Sequence, residues 1–176
     1  MSVLFWYFLF YSFLGYLLEK VFAFFTRSPH QVRRCFLLLP LCPVYGLGML
    51  AVLAAPKGVL SSPLLPLWGA ATATGVEYAV HWWYETFLGV RFWDYRGQAG
   101  NLRGRVCLPF SLVWGLLTAA AVVWVQPFAA SFLASMPLWL TAGLFAVLLL
   151  DGAVSAWVLA YTGDIDALGF YPPRKP

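Results

Sequence analysis

Two carboxylates stand near the middle of long apolar runs of the sequence. They are Glu77 and Asp151. An ionisable side chain at membrane depth is costly, so it usually faces the interior of a helix bundle or a water-filled cavity. Two interpretations are open for each residue. It is either a functional carboxylate, protonated or facing a wet cavity, or a structural one that makes an interhelical hydrogen bond.

A polar stripe surrounds the first of these carboxylates. Glu77, His81 and Glu85 follow one another at four-residue intervals, which puts them on one face of a helix, and Thr74 extends that face. Because lipid does not tolerate such a face, it is expected to line the bundle interior as a conduit wall or a pairing surface. The first and last side chains are about 12 Å apart at 1.5 Å per residue, so one ion cannot bind all three. No metal site is predicted.

Glutamates and arginines meet at the ends of two apolar runs. They are Glu19 and Glu85, with Arg33, Arg34, Arg103 and Arg105 across the loops. One interpretation is ion pairing at helix ends. The other is a polar cleft facing the cytoplasm, because guanidinium groups grip carboxylate or phosphate in a two-pronged manner. Such a cleft would hold an anionic solute or a lipid headgroup.

The longest polar stretch, residues 89–105, joins two of the apolar runs. Its glycines and Asn101 permit tight turns with positive φ, and its aromatic side chains favour the membrane interface. We expect a folded loop against the membrane, in which Asp94 pairs with Arg103 or Arg105 or caps a turn. The loop would either dock onto the second apolar segment or contact a substrate or partner.

The elements that must position these residues are apolar. Hydrophobic residues make up 62% of the 176 and charged residues 10%, against about 25% charged in a soluble domain. Runs of about 20 apolar residues cross a bilayer as helices. The predicted fold is therefore all-α, a polytopic integral membrane helical bundle with about five transmembrane helices. The five segments are 2–25, 35–55, 63–88, 106–126 and 137–161.

Every second connection between the apolar segments is rich in basic residues. They are concentrated in 26–34, 89–105 and 162–176, whereas the other two connections hold only Lys57. Positively charged loops stay in the cytoplasm. We therefore expect a multi-pass protein of the plasma (inner) membrane, with its N-terminus outside and its C-terminus in the cytoplasm.

An internal repeat is predicted from one block that occurs twice. Residues 39–47 align with residues 108–116. Each block follows a basic loop and a segment with a glutamate near its inner end, Glu19 or Glu85. We expect a single transmembrane domain, 1–176, built of parallel two-helix repeats. Its parts are repeats 1–55 and 63–126, an extra helix 137–161 and a polar tail 162–176.

Prolines, glycines and two cysteines mark the second segment. Pro40, Pro43, Gly46 and Gly48 are expected to kink or break it, and broken helices often mark binding sites in transporters. The cysteines have no zinc-site spacing, and their odd number gives no disulfide framework. Free thiols are therefore expected at all three positions, Cys35, Cys42 and Cys107.

Several short blocks match one family pattern. They are Tyr11–Gly15 with Glu19, Cys42–Gly46 as CPxYG, Trp93–Tyr95 with Asn101, Gly104 and Arg105 as WDY…N..GR, and then Phe110–Ser111 and Trp114–Gly115. In these blocks the chain resembles the CmpB-type family, whose members are labelled ABC-transporter permeases. Two positions depart from the pattern, since Cys35 and Leu39 stand where glycine is usual. The resemblance implies a membrane protein of a transport system.

Three classes of function are compatible with these residues. The first, favoured by the resemblance, is a permease-like transport component with a polar cleft between the two repeats. The sequence has no GxxxxGK[ST] loop, so a separate ATPase subunit would bind the nucleotide. The alternative is a membrane-embedded enzyme or binding protein acting on a lipid or anionic headgroup at the cytoplasmic face. The third is a non-catalytic regulator of another membrane protein.

The candidate substrate-binding residues are the carboxylates, the amide and two of the arginines described above. They are Glu19, Glu77, Glu85, Asp94, Asn101, Arg103, Arg105 and Asp151. No cofactor is predicted. Membrane lipid, an ATPase subunit and a further copy of the chain are the expected partners. Nucleic acid is not expected, because the basic residues are dispersed in short loops.

Overall fold

The computed structural model describes residues 2–26 and 35–168 of the chain. Within these residues the fold has five helices and no β-strand beyond one isolated bridge. The helices are α1 (Ser2–Phe25), α2 (Pro43–Leu53), α3 (Leu65–Trp83), α4 (Leu108–Leu133) and α5 (Leu138–Thr162). The all-α prediction is confirmed.

Three of these helices, α1, α4 and α5, are long and apolar enough to cross a membrane. Large apolar side chains cover the outside of the fold, among them Trp139 and Trp157, which are 74% and 68% exposed. Such a surface is costly in water, so it indicates membrane integration. Five crossings are not confirmed, because the 11 residues of α2 span about 16 Å of a hydrocarbon core about 30 Å thick.

The second predicted segment, 35–55, is helical only in its later part. Residues 35–42 are irregular, and α2 begins at Pro43. Proline suits the first turn of a helix, since the N–H that it lacks would be unpaired there in any case. The predicted break therefore lies at the prolines, whereas Gly46 and Gly48 lie inside α2.

The fourth segment continues beyond its expected end at residue 126. A π-helical turn, Ala121–Val125, precedes Pro127, and α4 then runs on to Leu133. Pro127 has no N–H to donate to the carbonyl four residues earlier, and the widened turn accommodates that missing bond. A second π turn, Tyr84–Leu88, extends α3.

The first four helices form two hairpins, which we call the first hairpin (α1 and α2) and the second hairpin (α3 and α4), and α2 packs on α3. A glycine makes the closest approach in each. A Cβ atom at Gly46 would overlap Ser12 and the carbonyl oxygen of Phe8, and one at Gly115 would lie 2.6 Å from the carbonyl oxygen of Pro66. Glycine is needed at both places because any side chain would hold the two backbones apart.

The loop between α3 and α4 folds into stacked turns. The Tyr95 amide donates to the Gly104 carbonyl at 2.8 Å, and the Leu102 amide donates to the Val106 carbonyl at 2.9 Å. All four of its glycines adopt positive φ, namely Gly89, Gly97, Gly100 and Gly104. The folded loop predicted from its glycine content is confirmed.

This loop docks on the end of α3. The rings of Phe92 and Tyr84 lie 4.8 Å apart, and those of Trp93 and His81 lie 5.2 Å apart. His81 Nε2 also lies 3.0 Å from the carbonyl oxygen of Trp93. Of the two alternatives, docking on the second segment or contact with a substrate or partner, docking fits in part, since Phe92 and Trp93 also line a small pocket with Phe36 and Tyr45 of that segment.

Candidate functional site

A cavity of about 340 Å³ lies between the two hairpins. All four hairpin helices and the loop after α3 contribute to its walls, which are mainly apolar. Its polar and aromatic lining side chains include Tyr11, Glu19, Tyr45, Glu77, Trp93, Tyr95, Trp114, Thr118 and Trp124. Two of the eight predicted site residues, Glu19 and Glu77, therefore face one cavity.

Glu77 is a buried carboxylate, 5% exposed. The Tyr95 hydroxyl donates to its Oε1 and the Trp114 indole N–H donates to its Oε2, both at 2.9 Å. The first donor comes from the loop after α3 and the second from α4. The carboxylate is thus fixed in orientation by two elements other than its own helix, as expected for a polar group away from water.

Glu19 occupies the corresponding position in the first hairpin. The Tyr45 hydroxyl of α2 donates to its Oε1 at 2.6 Å. The Tyr45 ring lies against Gly15, where any side chain would overlap it. It also meets the Trp114 ring edge-on with the centroids 5.4 Å apart. Two carboxylates and two aromatic side chains therefore form a continuous row across the cavity, from Glu19 through Tyr45 and Trp114 to Glu77.

The same spacing positions the carboxylate in each hairpin. In α1, Phe8 and Ser12 contact Gly46, and the carboxylate stands seven residues after the serine. In α3, Pro66 and Ala70 contact Gly115, and Glu77 stands seven residues after the alanine. Two helical turns therefore separate the glycine contact from the carboxylate in both.

Glu85 lies apart from the cavity in an ion-pair cluster. Its Oε2 accepts from Arg105 Nη2 at 2.9 Å, and its Oε1 accepts from Arg91 Nε at 2.9 Å. Arg105 Nη1 also donates to the Tyr78 hydroxyl at 2.9 Å. Pairing with its carboxylate partner raises the pKa of the Arg105 guanidinium above its ordinary value. The ion-pair interpretation is confirmed for Glu85 and Arg105.

Within residues 2–26 and 35–168, the arginines predicted for a cleft with the glutamates lie outside the cavity lining. Among residues 2–26 and 35–168, no Lys or Arg lines the cavity. Arg33 and Arg34 lie outside the described residues. The guanidinium of Arg105 stays with Glu85 because a carboxylate at hydrogen-bond distance already satisfies it.

Asp94, Asn101 and Arg103 serve the loop itself. Asp94 accepts from the Arg96 amide at 2.9 Å and from Arg96 Nε at 2.7 Å. These bonds lower the pKa of Asp94 to about 2. Of the alternatives open for Asp94, the turn cap is the one found, with Arg96 as its partner, because an Asx-type turn brings the residue two positions along the chain into reach.

The two other loop residues predicted for the site also lie outside the cavity lining. Asn101 Oδ1 accepts from the Gly104 amide at 3.3 Å. Arg103 is exposed and adopts a φ of 55°. Both shape the turn that returns the chain to α4, so neither faces the cavity.

Asp151 binds backbone and lies away from the cavity. Its Oδ1 accepts from the Leu38 amide and its Oδ2 from the Leu39 amide, each at 3.0 Å. The Ser155 hydroxyl donates to Oδ1 at 3.3 Å. Residues 35–42 are irregular, so their N–H groups have no helical acceptor and need one from elsewhere. Of the two interpretations open for Asp151, the structural one fits these contacts.

Two of the three cysteines are paired. Cys35 and Cys42 form a disulfide across the irregular segment, with their Cα atoms 5.2 Å apart, and Cys107 is free and buried. The expectation of three free thiols is wrong for the pair. The turn between them, held by Asp151, brings the two side chains together.

The aromatic partners of the carboxylates were not among the predicted site residues. Tyr45, Tyr95 and Trp114 each donate to Glu19 or Glu77. All three stand inside the blocks that carry the family resemblance, which was the available signal. Tyr95 was predicted as an interface anchor of the loop, and Tyr45 and Trp114 only as aligned positions of the repeated block.

Comparison with known proteins gives one match. A family model with the description "Putative ABC-transporter type IV" matches residues 6–157. The matched region includes the cavity residues, the loop after α3 and Asp151. No curated protein and no solved structure matches the chain.

Proposed function

The chain belongs to the family described as "Putative ABC-transporter type IV", and from that premise we propose that it is the membrane component of an ATP-driven transporter. The cavity between the hairpins would form part of the substrate's path. The observation that carries the proposal is that Glu19 and Glu77 both face this one cavity. Carboxylates at membrane depth mark transport pathways, and cavities of about 300 Å³ or more take small molecules.

We infer that the two hairpins are copies of one unit, related by an axis along the membrane normal. The equal spacing from glycine contact to carboxylate supports this, as does the contact between Tyr45 and Trp114, which are aligned in the repeated block. These contacts match Glu19 with Glu77, although the sequence comparison had matched it with Glu85. Transporters built from repeats hold their substrate at the repeat interface.

Nucleotide binding must come from outside these 176 residues, because they contain no phosphate-binding loop. The test is native mass spectrometry of the protein extracted gently from its own membrane at native expression. An ATPase chain in fixed ratio is the expected result. A monomer or homodimer that retains lipid and has no ATPase would overturn the ATP-driven proposal.

The alternative of an enzyme or headgroup-binding protein has no specific observation in its favour among residues 2–26 and 35–168, and Arg33 and Arg34 lie outside them. It required arginines free to grip an anion at the ends of the helices. Arg105 is bound to Glu85 and Tyr78, and Arg96 is bound to Asp94. Transport is therefore the function that these contacts support best.

Orientation in the membrane is a separate proposal. The alternation of basic loops puts residues 26–34 in the cytoplasm, whereas a disulfide at Cys35 is typical of an oxidising compartment. We retain the orientation with the C-terminus inside. It predicts that a cysteine in place of Ser135, between α4 and α5, reacts with a membrane-impermeant maleimide added to intact cells. Protection until the cells are permeabilised would reverse it.

A further inference from the structure

The cavity opens sideways through a window between α1 and α4. Of its lining side chains within residues 2–26 and 35–168, three are exposed, namely Leu18, Leu117 and Trp124, by 37%, 38% and 76%. The first lies on α1 and the other two lie on α4. The lining residues from α2, α3 and the loop after α3 are buried or half-buried. The opening is therefore a gap between two of the helices that are able to cross the membrane.

Contacts between α1 and α4 frame this window at both ends. At one end the Tyr11 hydroxyl donates to Gln126 Oε1 at 2.7 Å. At the other end the rings of Phe22 and Phe110 meet edge-on, with their centroids 6.2 Å apart. The three exposed lining side chains lie between these contacts along the two helices. The window is thus bounded along the helix axes and open towards the outside of the bundle.

The window lies at the depth of the lipid hydrocarbon. The lining residues of α4 run from Trp114 to Val125, in the middle of the apolar helix Leu108–Leu133. At 1.5 Å per residue, Trp124 is about 5 Å from the midpoint of that helix. In a hydrocarbon core about 30 Å thick, this position faces acyl chains and not headgroups.

The cavity walls suit an apolar occupant. Most of the lining surface comes from carbon-rich side chains such as Leu14 and Met49. Glu19 and Glu77 accept hydrogen bonds from tyrosine and tryptophan side chains of the protein itself, so an occupant is not required to supply donors or charge. An empty apolar cavity forfeits the dispersion contacts of its walls, and apolar molecules that reach it fill it.

We propose that an acyl chain of a bilayer phospholipid enters through this window and occupies the cavity, while its headgroup stays at the membrane surface. Because the chain leaves hydrocarbon for another apolar environment, it gains packing contacts and no hydrophobic free energy. It therefore exchanges with the bilayer and is displaced when another molecule enters. The inference goes beyond the proposed function, since it names the occupant of the cavity in the absence of substrate, whether or not ATP drives transport.

The experiment is photolabelling of the full chain in phosphatidylcholine nanodiscs, read by peptide mass spectrometry. A small fraction of the lipid carries a diazirine in the middle of one acyl chain, and a parallel sample carries it on the headgroup. Met49 lines the cavity and is 4% exposed, whereas Leu116 is exposed on α4 outside the lining and reports the surrounding lipid.

The acyl probe should label both Met49 and Leu116, and it should label Met49 at least about tenfold more than the headgroup probe does, because headgroups do not reach this depth. Labelling of Leu116 without Met49 would overturn the proposal. Equal labelling of Met49 by the two probes would overturn it as well.

A matched pair of glycine variants locates the occupant. Gly48 lines the cavity, and a Cβ atom there meets nothing within 4 Å, so Gly48→Leu fills the space without a clash. It should lower labelling of Met49 about tenfold and leave Leu116 unchanged, because a filled cavity has no room for the chain. Gly75→Leu adds the same side chain at an equally open position outside the lining and should change neither.

Wild-type labelling of Met49 in folded Gly48→Leu would contradict the site. If that variant does not fold, the comparison of the acyl and headgroup probes on wild type still decides. The two proposals also fail separately. Labelling of Met49 without a co-purifying ATPase would refute the ATP-driven function and keep the acyl-chain site. A fixed ATPase stoichiometry without labelling of Met49 would keep the function and refute the occupant.

Discussion

The first and second hairpins share one contact pattern but differ in how their carboxylates are covered. Glu77 is buried and accepts from two aromatic donors, one of them on the loop after α3. Glu19 is only partly buried and accepts from Tyr45. The loop after α3 is thus the element that makes the surroundings of Glu77 differ from those of Glu19.

If the hairpins are the repeat proposed above, this difference separates what its two copies share from what they do not. Helix spacing and the glycine contact set where each carboxylate stands, and both hairpins share them. The connections then determine its environment. In the first hairpin the irregular segment before α2 is tied to Asp151 of α5, whereas in the second a folded loop reaches back to Glu77.

The largest expected effect tests the glycine contact that both hairpins share. Gly46→Leu and Gly115→Leu should each destabilise the fold by about 3 kcal/mol, because the new side chain would overlap the backbone of the facing helix. Thermal unfolding in detergent, followed by fluorescence-detected size exclusion, measures it. Gly75→Leu is the control, since a Cβ there meets nothing within 4 Å. Tolerance of leucine in one hairpin alone would break the equivalence.

The next effect tests the support of the first hairpin. Asp151→Ala should cost about 2 kcal/mol, because two backbone N–H groups lose a charged acceptor. Ser155→Ala is the control on the same helix and should cost less, since its hydroxyl donates only one bond, at 3.3 Å. Equal stability of Asp151→Ala and wild type in the same assay would show that the irregular segment does not depend on α5.

The third effect is the difference in stability lost when each of the two carboxylates, Glu77 and Glu19, is removed. Glu77→Ala should destabilise the fold more than Glu19→Ala by about 1 kcal/mol, since Glu77 is buried and Glu19 only partly buried, so the donors that lose Glu77 are farther from water. A double-mutant cycle with Tyr95→Phe isolates the loop's share. A larger loss for Glu19→Ala would reverse the comparison.

The smallest effect concerns the exposed turn of the loop. The Arg96 side chain lowers the pKa of Asp94 to about 2 from its ordinary value of 3.8. The stabilisation it gives is present above the ordinary value and is lost as the pH falls through about 2. Wild type and Asp94→Asn should therefore differ slightly at pH 7 and converge near pH 2 in thermal unfolding. A difference that widened on acidification would contradict this sign.

Local signals predicted the long helices well. The apolar runs at 2–25 and 137–161 agree closely with α1 and α5. The second segment could not be bounded in the same way, because its irregular start depends on Asp151, more than 110 residues later. The end of α4 was missed because proline was read as a stop, whereas a π turn before Pro127 carries the helix on.

The charged residues of the site could be predicted from the sequence, but the side chains that bind them could not. Glu77 drew attention because a carboxylate in an apolar run is costly. Its contact with Tyr95 depends on the fold of a whole loop, which no spacing in the sequence reveals. The pairing of Glu85 with Arg105 was predicted correctly, because the two residues lie at facing ends of α3 and the loop. Since they bind each other there, they do not line the cavity.

One labelling measurement tests most directly whether Glu19 and Glu77, one from each hairpin, face the same cavity. Gly48 lines the cavity, and a Cβ there meets nothing within 4 Å. In a Cys107→Ser background, Gly48→Cys is reacted with a trimethylammonium and with a sulfonate methanethiosulfonate, and Ser135→Cys gives the reference ratio of the two reaction rates. Relative to that reference, we expect Glu19→Gln and Glu77→Gln each to shift the ratio at Gly48→Cys towards the sulfonate, because each removes a negative charge from the cavity lining. An unchanged ratio in either variant would contradict the account.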